Sequence, residues 1–419
     1  MSEIKPPPLR DDCFALPAGI DWTPVDQALA LLRDRLRPVV AQETCLLSDA
    51  LGRVLAMPLS AARSNPPQAN TAVDGYGFAH ASQGAGDQLL PLAGGRAAAG
   101  VPFSGTVPPG YAVRILTGAA LPEGVDTVVL QEDVTVGDSQ IAFRTGLKIW
   151  ANTRKAGEDV VSGETVLDAG RVITPADLAL IAAVGLSEVT VFKRLKVAVI
   201  STGDELVEAG EPAGASQIYD ANRPMLSGLV REFGFEVVDL GKVPDNRDAL
   251  RAALDEAAER ADVILTSGGA SSGDEDHVSA LLTESGAMAT WRIAIKPGRP
   301  LALGVWGGTP VFGLPGNPVA AMVCTLIFAR PAMGILAGAG WAEPQSFDLP
   351  AGFAKSKKPG RREYLRARIR DGQAEIFKSE GSGRISGLSW AEGLVELPDE
   401  AAEILPGDPV RYIPYTSFR

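Results

Sequence analysis

Cysteine is scarce in this chain. Cys13, Cys45 and Cys324 stand far apart and no Cys-x-x-Cys occurs, which excludes a zinc ribbon and a thioredoxin-type dithiol. A disulfide framework is excluded with them, and the pattern fits a reducing cytoplasm. Histidine is scarcer still. With only His80 and His277, no Ser/His/Asp triad is credible, and any metal site must be built mainly from oxygen ligands, which suit Mg²⁺. Neither Gly-x-Gly-x-x-Gly nor a Walker A pattern is present, so a dehydrogenase and a P-loop ATPase are disfavoured. Positive charge is in deficit: the formal net charge is −12, which argues against nucleic acid and against an anionic membrane surface as partner. Long apolar runs are missing too. The longest, 319–329, is too short to span a bilayer, is followed by Arg330-Pro331, and reads as a buried helix. Residues 1–12 are Pro-rich and charged, without the apolar stretch of a secretory signal, so the expected location is the cytoplasm.

What is present suffices for several cores. The 419 residues are 46% apolar and 21% charged, an ordinary globular composition, and the length suggests about three domains. Residues 22–57 read as helical, with Val25, Ala28, Leu29, Leu32 and Leu36 at helical spacing and Pro38 ending the pattern. From 60 to 150, frequent Gly and Pro with short strand-like runs predict a small all-β module. Thr174-Pro175 starts a helix that Gly185 ends. From 195 onward buried strands alternate with helices: strands at 196–202, 236–241, 262–266 and 309–314, helices at 222–233, 247–260 and 276–285. The expected fold is therefore α/β and multidomain, a doubly wound, mostly parallel α/β domain with additional β-rich domains. The segments divide as 1–59 with 150–195 (a discontinuous mixed domain), 60–149 (an inserted β-rich domain), 196–338 (the α/β domain) and 339–419 (a C-terminal β domain).

Ligands of an open parallel sheet bind beyond the carboxyl ends of its strands, and three strands end in notable loops. Ser201-Thr-Gly-Asp-Glu205 offers a Gly for close anion approach and carboxylates for a metal; a solvated turn fits equally well. Thr266-Ser-Gly-Gly-Ala-Ser-Ser-Gly-Asp-Glu-Asp276 follows a buried strand and precedes a helix. Its glycines and hydroxyls form a donor cradle of the kind phosphate needs, and its acidic triplet supplies Mg²⁺ ligands. Gly313-Leu-Pro-Gly-Asn-Pro318 opens an apolar helix, where an oxyanion site and a structural turn are about as probable. Between the last two lies Ala294-Ile-Lys296-Pro-Gly-Arg299-Pro, with two cations in a rigid turn that favours anion contact. Residues 355–370 carry eight Lys or Arg in sixteen, a local reversal of sign in which Arg361 and Arg366 are placed to clamp an oxyanion; a solvated basic strand face is the equal alternative. In the β module, Asn70-Thr-Ala-Val-Asp74-Gly-Tyr-Gly and Leu116-Thr117-Gly-Ala are, taken alone, ordinary turns.

Together these pieces resemble the molybdopterin molybdenumtransferase family, known in bacteria as MoeA and related to the C-terminal domain of gephyrin. The matching stretches are Ala72-Val-Asp-Gly-Tyr-Gly, Arg114-Ile-Leu-Thr-Gly-Ala, Ser201-Thr-Gly-Asp-Glu-Leu, Ser267-Gly-Gly-Ala-Ser-Ser-Gly-Asp-Glu-Asp, Ile295-Lys-Pro-Gly-Arg-Pro and Gly313-Leu-Pro-Gly-Asn-Pro. They occur in family order from about residue 22 to the end.

The resemblance implies an elongated homodimer of four-domain chains, with an active site that the third domain shares with a β domain of the other subunit. The implied reaction inserts molybdate into adenylylated molybdopterin and releases AMP, with Mg²⁺ as cofactor. The implied catalytic residues are Asp74, Thr117, Glu205 and Lys296. Substrate would be bound by Ser267, Gly268, Gly269, Ser271, Gly273, Asp245, Arg299, Pro315, Pro318, Arg361 and Ser386, and metal by Asp274, Asp276 and Glu205. Further implied partners are a molybdopterin adenylyltransferase and acceptor molybdoenzymes. Three positions depart from the family: Arg299 stands where many members have Lys, Ala270-Ser271 replaces Val-Ser, and Gly387 replaces one of a pair of serines. The alternatives are the adenylyltransferase acting one step earlier, against which the extra β segments argue, and a gephyrin-like scaffold, against which the intact Asp and Lys residues argue.

Overall fold

The structure is a computed structural model and describes residues 22–269, 277–285, 288–298 and 300–419. Among these the chain divides into two compact units, 43–191 and the remainder.

The 43–191 unit contains a six-stranded sheet ordered Thr127–Leu130, Gly75–Phe78, Ala112–Ile115, Gln88–Ala97, Gln140–Phe143, Val134–Val136. Its core is Tyr76, Phe78, Leu90, Ala112, Val129, Ile141 and Phe143, so the expected β module is present. Two glycines allow its central strands to approach: a Cβ on Gly75 would lie 1.9 Å from the Val129 carbonyl oxygen, and one on Gly77 2.7 Å from a Val125 methyl. Outside the sheet, helix Pro175–Ala183 begins as expected. Thr174 and Asp177 form a reciprocal capping box, with Pro at the first turn, and Gly185 follows at φ +85°.

The second unit is built on a sheet ordered Glu236–Val243, Lys196–Thr202, Val263–Ser267, Thr309–Leu314, Pro300–Trp306, Met288–Arg292. The first four strands are parallel, and Pro300–Trp306 runs antiparallel to its neighbours. Helix Asn222–Glu232 covers one face through Leu226, Leu229 and Val230, and helix Arg247–Arg260 the other through Leu250, Leu254 and Ala257. The sheet is thus doubly wound. The strand order reverses between Lys196–Thr202 and Val263–Ser267, the topological switch point where such sheets leave a crevice.

Three elements differ from the sequence reading. Helix Val25–Arg35 stops before Pro38, and Gln42–Leu46 is a strand instead of a continued helix; the alternation Gln-Glu-Thr-Cys-Leu lacks a helical apolar stripe. Helix Val25–Arg35, read as part of the 1–59 segment, packs Val25, Ala28 and Leu32 into the α/β core. The apolar run also extends past Arg330-Pro331. Residues Pro318–Leu336 are helical throughout, long and apolar enough to cross a membrane by composition, yet 89% of that stretch is buried inside the protein. Pro331 fits because it falls in the first turn of Arg330–Leu336, directly after the wide turn Thr325–Ala329.

The C-terminal β segment forms a sheet ordered Ile295–Lys296, Arg362–Arg370, Gly393–Leu397, Pro409–Pro414, Phe347–Pro350. Its edge strand, Ile295–Lys296, comes from the α/β segment and runs parallel to Arg362–Arg370, with Lys296 opposite Glu363. Leu365, Ala367, Val395 and Tyr412 face the sheet's own core, while Tyr364, Leu394 and Ile413 pack into the α/β core.

Candidate functional site

Strand register sets the first cluster. Ser201 pairs with Ser267, and Ser267 with Leu314, so the carboxyl ends of three parallel strands lie side by side. Asn222, at the start of its helix and 8% exposed, ties them together. Its Nδ2 donates to Ser267 Oγ (2.7 Å) and to the Gly316 carbonyl (2.6 Å). Gly268 is obligatory, since its φ is +97° and a Cβ would lie 2.4 Å from the Thr202 carbonyl oxygen. Among the described residues, Ser201 Oγ, Thr266 Oγ1 and Asn222 Oδ1 are buried with no hydrogen-bond partner. Three such oxygens at one end of a sheet are costly unless a ligand or water meets them.

Asp245, in the loop after Glu236–Val243, accepts from Thr202 Oγ1 and from the Asp204 amide (3.4 Å), and its own amide donates to Asp204 Oδ1 (3.1 Å). Glu205 is exposed, with its carboxylate over the Cα of Gly203. Among the described residues, no group of three or more His, Cys, Asp or Glu is placed to hold a metal. Ser271, Gly273, Asp274, Asp276 and Arg299 lie outside the described residues.

Lys296 belongs to a second cluster. Its Nζ lies 3.2 Å from Glu363 and 2.8 Å from Glu380; Lys355 pairs with the same two carboxylates. Burial alone would lower the Lys296 pKa, but Glu380 and Glu363 outweigh it and hold the pKa above the ordinary lysine value. Burial likewise pushes Glu380 up, and hydrogen bonds from Lys296 and Lys355 bring it below the usual carboxylate range. Gly298 fits the turn because a Cβ there would meet Cys324 Sγ at 2.6 Å.

Within the basic segment, Arg366 is not placed to clamp an oxyanion. Arg366 is buried and donates to the carbonyls of Ser379, Gly381 and Arg384 while stacking on Phe377; it scaffolds a loop and leaves no fork for an oxyanion. Arg361 is half-exposed just before the strand Arg362–Arg370. Ser386 is exposed at the start of the short helix Ser386–Trp390. Pro315 and Pro318 flank the turn into the apolar helix, whose Val319 amide donates to the Ser382 carbonyl (3.2 Å).

In the 43–191 unit, Asp74 and Thr117 meet at one end of two adjacent interior strands because Gly75 pairs with Ile115. Both the Thr117 amide (2.7 Å) and its hydroxyl (2.6 Å) donate to Asp74 Oδ1. The hydroxyl bond, then the amide, hold the Asp74 carboxyl below its ordinary pKa.

Sequence reasoning missed Asn222, Glu363, Lys355 and Glu380. Asn222 was legible only as a helix start. Glu363 was visible as the one acid inside the basic run 355–370.

Three family profiles match the chain in order. They are described as the MoeA N-terminal region (domain I and II) over residues 23–185, a probable molybdopterin binding domain over 198–334, and the MoeA C-terminal region (domain IV) over 348–415. A molybdopterin molybdenumtransferase of Haemophilus influenzae is 37% identical over 93% of this chain and 98% of its own length. Molybdopterin molybdenumtransferase 2 of Mycobacterium tuberculosis is 36% identical over 87% of this chain and 93% of its own. The crystal structure of the molybdopterin biosynthesis MoeA protein of Pyrococcus horikoshii superposes with a TM-score of 0.83 at 28% identity, over 94% of this chain and 100% of that one.

Proposed function

We propose a specific chemistry for this chain, which belongs to the molybdopterin molybdenumtransferase (MoeA) family and is a transferase of molybdenum cofactor biosynthesis acting on a molybdopterin-related substrate. In our reading it inserts molybdate into adenylylated molybdopterin and releases AMP. The observation that carries this reading is the strand-end crevice. The Ser201 and Ser267 hydroxyls, the Asn222 amide that contacts Ser267 on the same face, and the close-packed Gly268 form a small-residue cradle at the switch point, which suits a phosphate-bearing ligand. Water attacks the pterin-side phosphorus of the phosphoanhydride, the P–O bond to the adenylate breaks, AMP leaves with the electron pair, and the water's protons pass to solvent. Lys296 stabilises charge that develops on the oxygens.

Mg²⁺ fits the donor chemistry, since Glu205 and Asp245 offer carboxylate oxygens at two adjacent strand ends and such oxygens suit a hard cation. Together with Asp274 and Asp276 they would hold it, and bound there it would offset phosphate charge. The reading extends to a cytoplasmic homodimer in which Asp74 and Thr117 serve the reaction, with the four-part division of the chain given above.

The test is AMP release from adenylylated molybdopterin with molybdate and Mg²⁺. Lys296→Gln is expected to lower turnover by ten- to a hundredfold, the worth of about 1.5–3 kcal/mol for one charged hydrogen bond. No AMP from the parent protein under these conditions would sink the reading.

A further inference from the structure

Lys296, Lys355, Glu363 and Glu380 balance to zero charge, two cations against two anions. Lys296 and Glu380 line a small cleft of about 20 Å³, whose walls also include Pro297, Val319, Arg366 and Ser379. Arg366 adds a cation to the lining, but its N–H groups are spent on the carbonyls of Ser379, Gly381 and Arg384, so the two lysines are the donors a tetrahedral dianion would need, and Glu363 and Glu380 already occupy them.

The two carboxylates are not equivalent. Glu363 sits within a strand, directly opposite Lys296 in register, with its side chain 9% exposed. Glu380 sits in a loop and its side chain is 42% exposed. Its backbone is pinned, because Arg366 holds the carbonyls of Ser379 and Gly381 on either side. Only the Glu380 side chain is therefore free to swing, and swinging needs no backbone movement.

We propose that Glu380 is a built-in counter-anion that occupies the Lys296–Lys355 pair and is displaced when a tetrahedral oxyanion binds, so that Glu380 sets the affinity of this site. The inference rests on the reading of Lys296 as an anion contact. When Glu380 leaves, the charge of the other three members of the cluster is two minus one, or +1, and Lys296 lines the cleft. An occupant that fills the pair about nine-tenths of the time weakens the apparent affinity about tenfold, since only the competent fraction binds. The oxyanion is either molybdate itself or the phosphate of the pterin substrate; the chemistry at the lysines is the same.

The experiment is equilibrium binding to the whole protein by calorimetry, with molybdate in one arm and inorganic phosphate in the other. Glu380→Gln is expected to tighten binding about tenfold, and Glu380→Asp, whose shorter side chain spans the two lysines poorly, to tighten it less. Glu363→Gln makes the same charge change without removing the displaceable occupant, so it is expected to tighten binding far less. A gain with molybdate alone supports a molybdate pocket, and one with phosphate alone supports a substrate-phosphate pocket. If Lys296→Gln abolishes binding while Glu380→Gln leaves it unchanged, the lysines are the anion site and Glu380 is not its occupant, which overturns the inference alone. Equal gains from Glu380→Gln and Glu363→Gln reduce the effect to general electrostatics and also overturn it. If Lys296→Gln binds both anions as well as the parent, the reading of Lys296 fails and the inference falls with it.

Discussion

Asp74 and Lys296 are both charged residues set in short Gly-containing motifs, yet the protein holds them in opposite ways. Asp74 is half-buried and held by one residue on a turn 43 positions away, through two donors of Thr117. Lys296 is half-buried and held by Glu363 and Glu380, 67 and 84 residues away. The first charge has one neutral partner residue that meets it with two donors. The second is coupled to whatever positions the C-terminal sheet. Both charges are held by residues distant in sequence, Asp74 by Thr117 43 residues on, so neither arrangement can be read from its motif alone.

The sharpest way to break this contrast is to destroy the turn that holds Asp74. Gly75→Ala puts a methyl 1.9 Å from a backbone oxygen, and a clash with backbone cannot be relieved by a rotamer change. It is expected to cost about 3 kcal/mol or more of stability, read by urea unfolding, and to leave the Lys296 cluster intact. Parent-like stability would remove the premise that close strand approach builds the turn.

Asn222→Ala tests the strand-end crevice in the same way. It strips a donor from Ser267 Oγ and from the Gly316 carbonyl, for an expected loss of about 2–4 kcal/mol. A change within about 0.5 kcal/mol, the scale of an ordinary surface substitution, would mean that solvent already satisfies those groups.

pH separates the two sites by sign. The raised Lys296 pKa contributes stability that is present below the unfolded-state value and fades as pH rises through the folded one. The lowered Glu380 pKa contributes stability that is present above its unfolded value and fades as pH falls through the folded one. The cluster therefore supports a plateau through neutral pH with losses on both sides, whereas the Asp74 pair responds on the acid side alone. Stability measured against pH in Lys296→Gln should lose its alkaline limb relative to the parent; an unchanged limb contradicts the assignment.

The smallest effect is expected from Thr117→Val, which removes the hydroxyl bond and keeps the amide. The Asp74 carboxyl should titrate upward, toward but short of the ordinary aspartate range, as followed by carbon NMR. No movement would mean that the hydroxyl is not the main cause of the shift.

Legibility in the sequence followed the range of the forces. Helix Arg247–Arg260 and the helix start at Thr174-Pro175 were readable because propensity, cap and apolar spacing are all local. The cradle at Ser267–Gly269 was readable because a strand, small residues and the switch point coincide. The roles of Arg366, Glu363 and Glu380 were not, since pairing partners lie on strands and loops brought together only by the sheet. Residues 36–57 were misread because a few apolar residues at mixed spacing satisfy either period. Pro331 was misread as an end because a proline also fits the first turn of a following helical segment.

The two-residue strand Ile295–Lys296 has a consequence for how this chain can be recombined. It is encoded with the α/β segment but completes the sheet of the C-terminal segment, and Tyr364, Leu394 and Ile413 return the favour by filling the α/β core. A crossover placed at the linker near residue 340 would exchange a β segment between relatives while leaving its edge strand behind, with the Lys296–Glu363 register mismatched and a row of backbone groups unpaired. Functional chimaeras of this chain should therefore join only when 294–296 travels with 347–414, so that the unit of inheritance is the interlocked pair of sheets and not either segment alone.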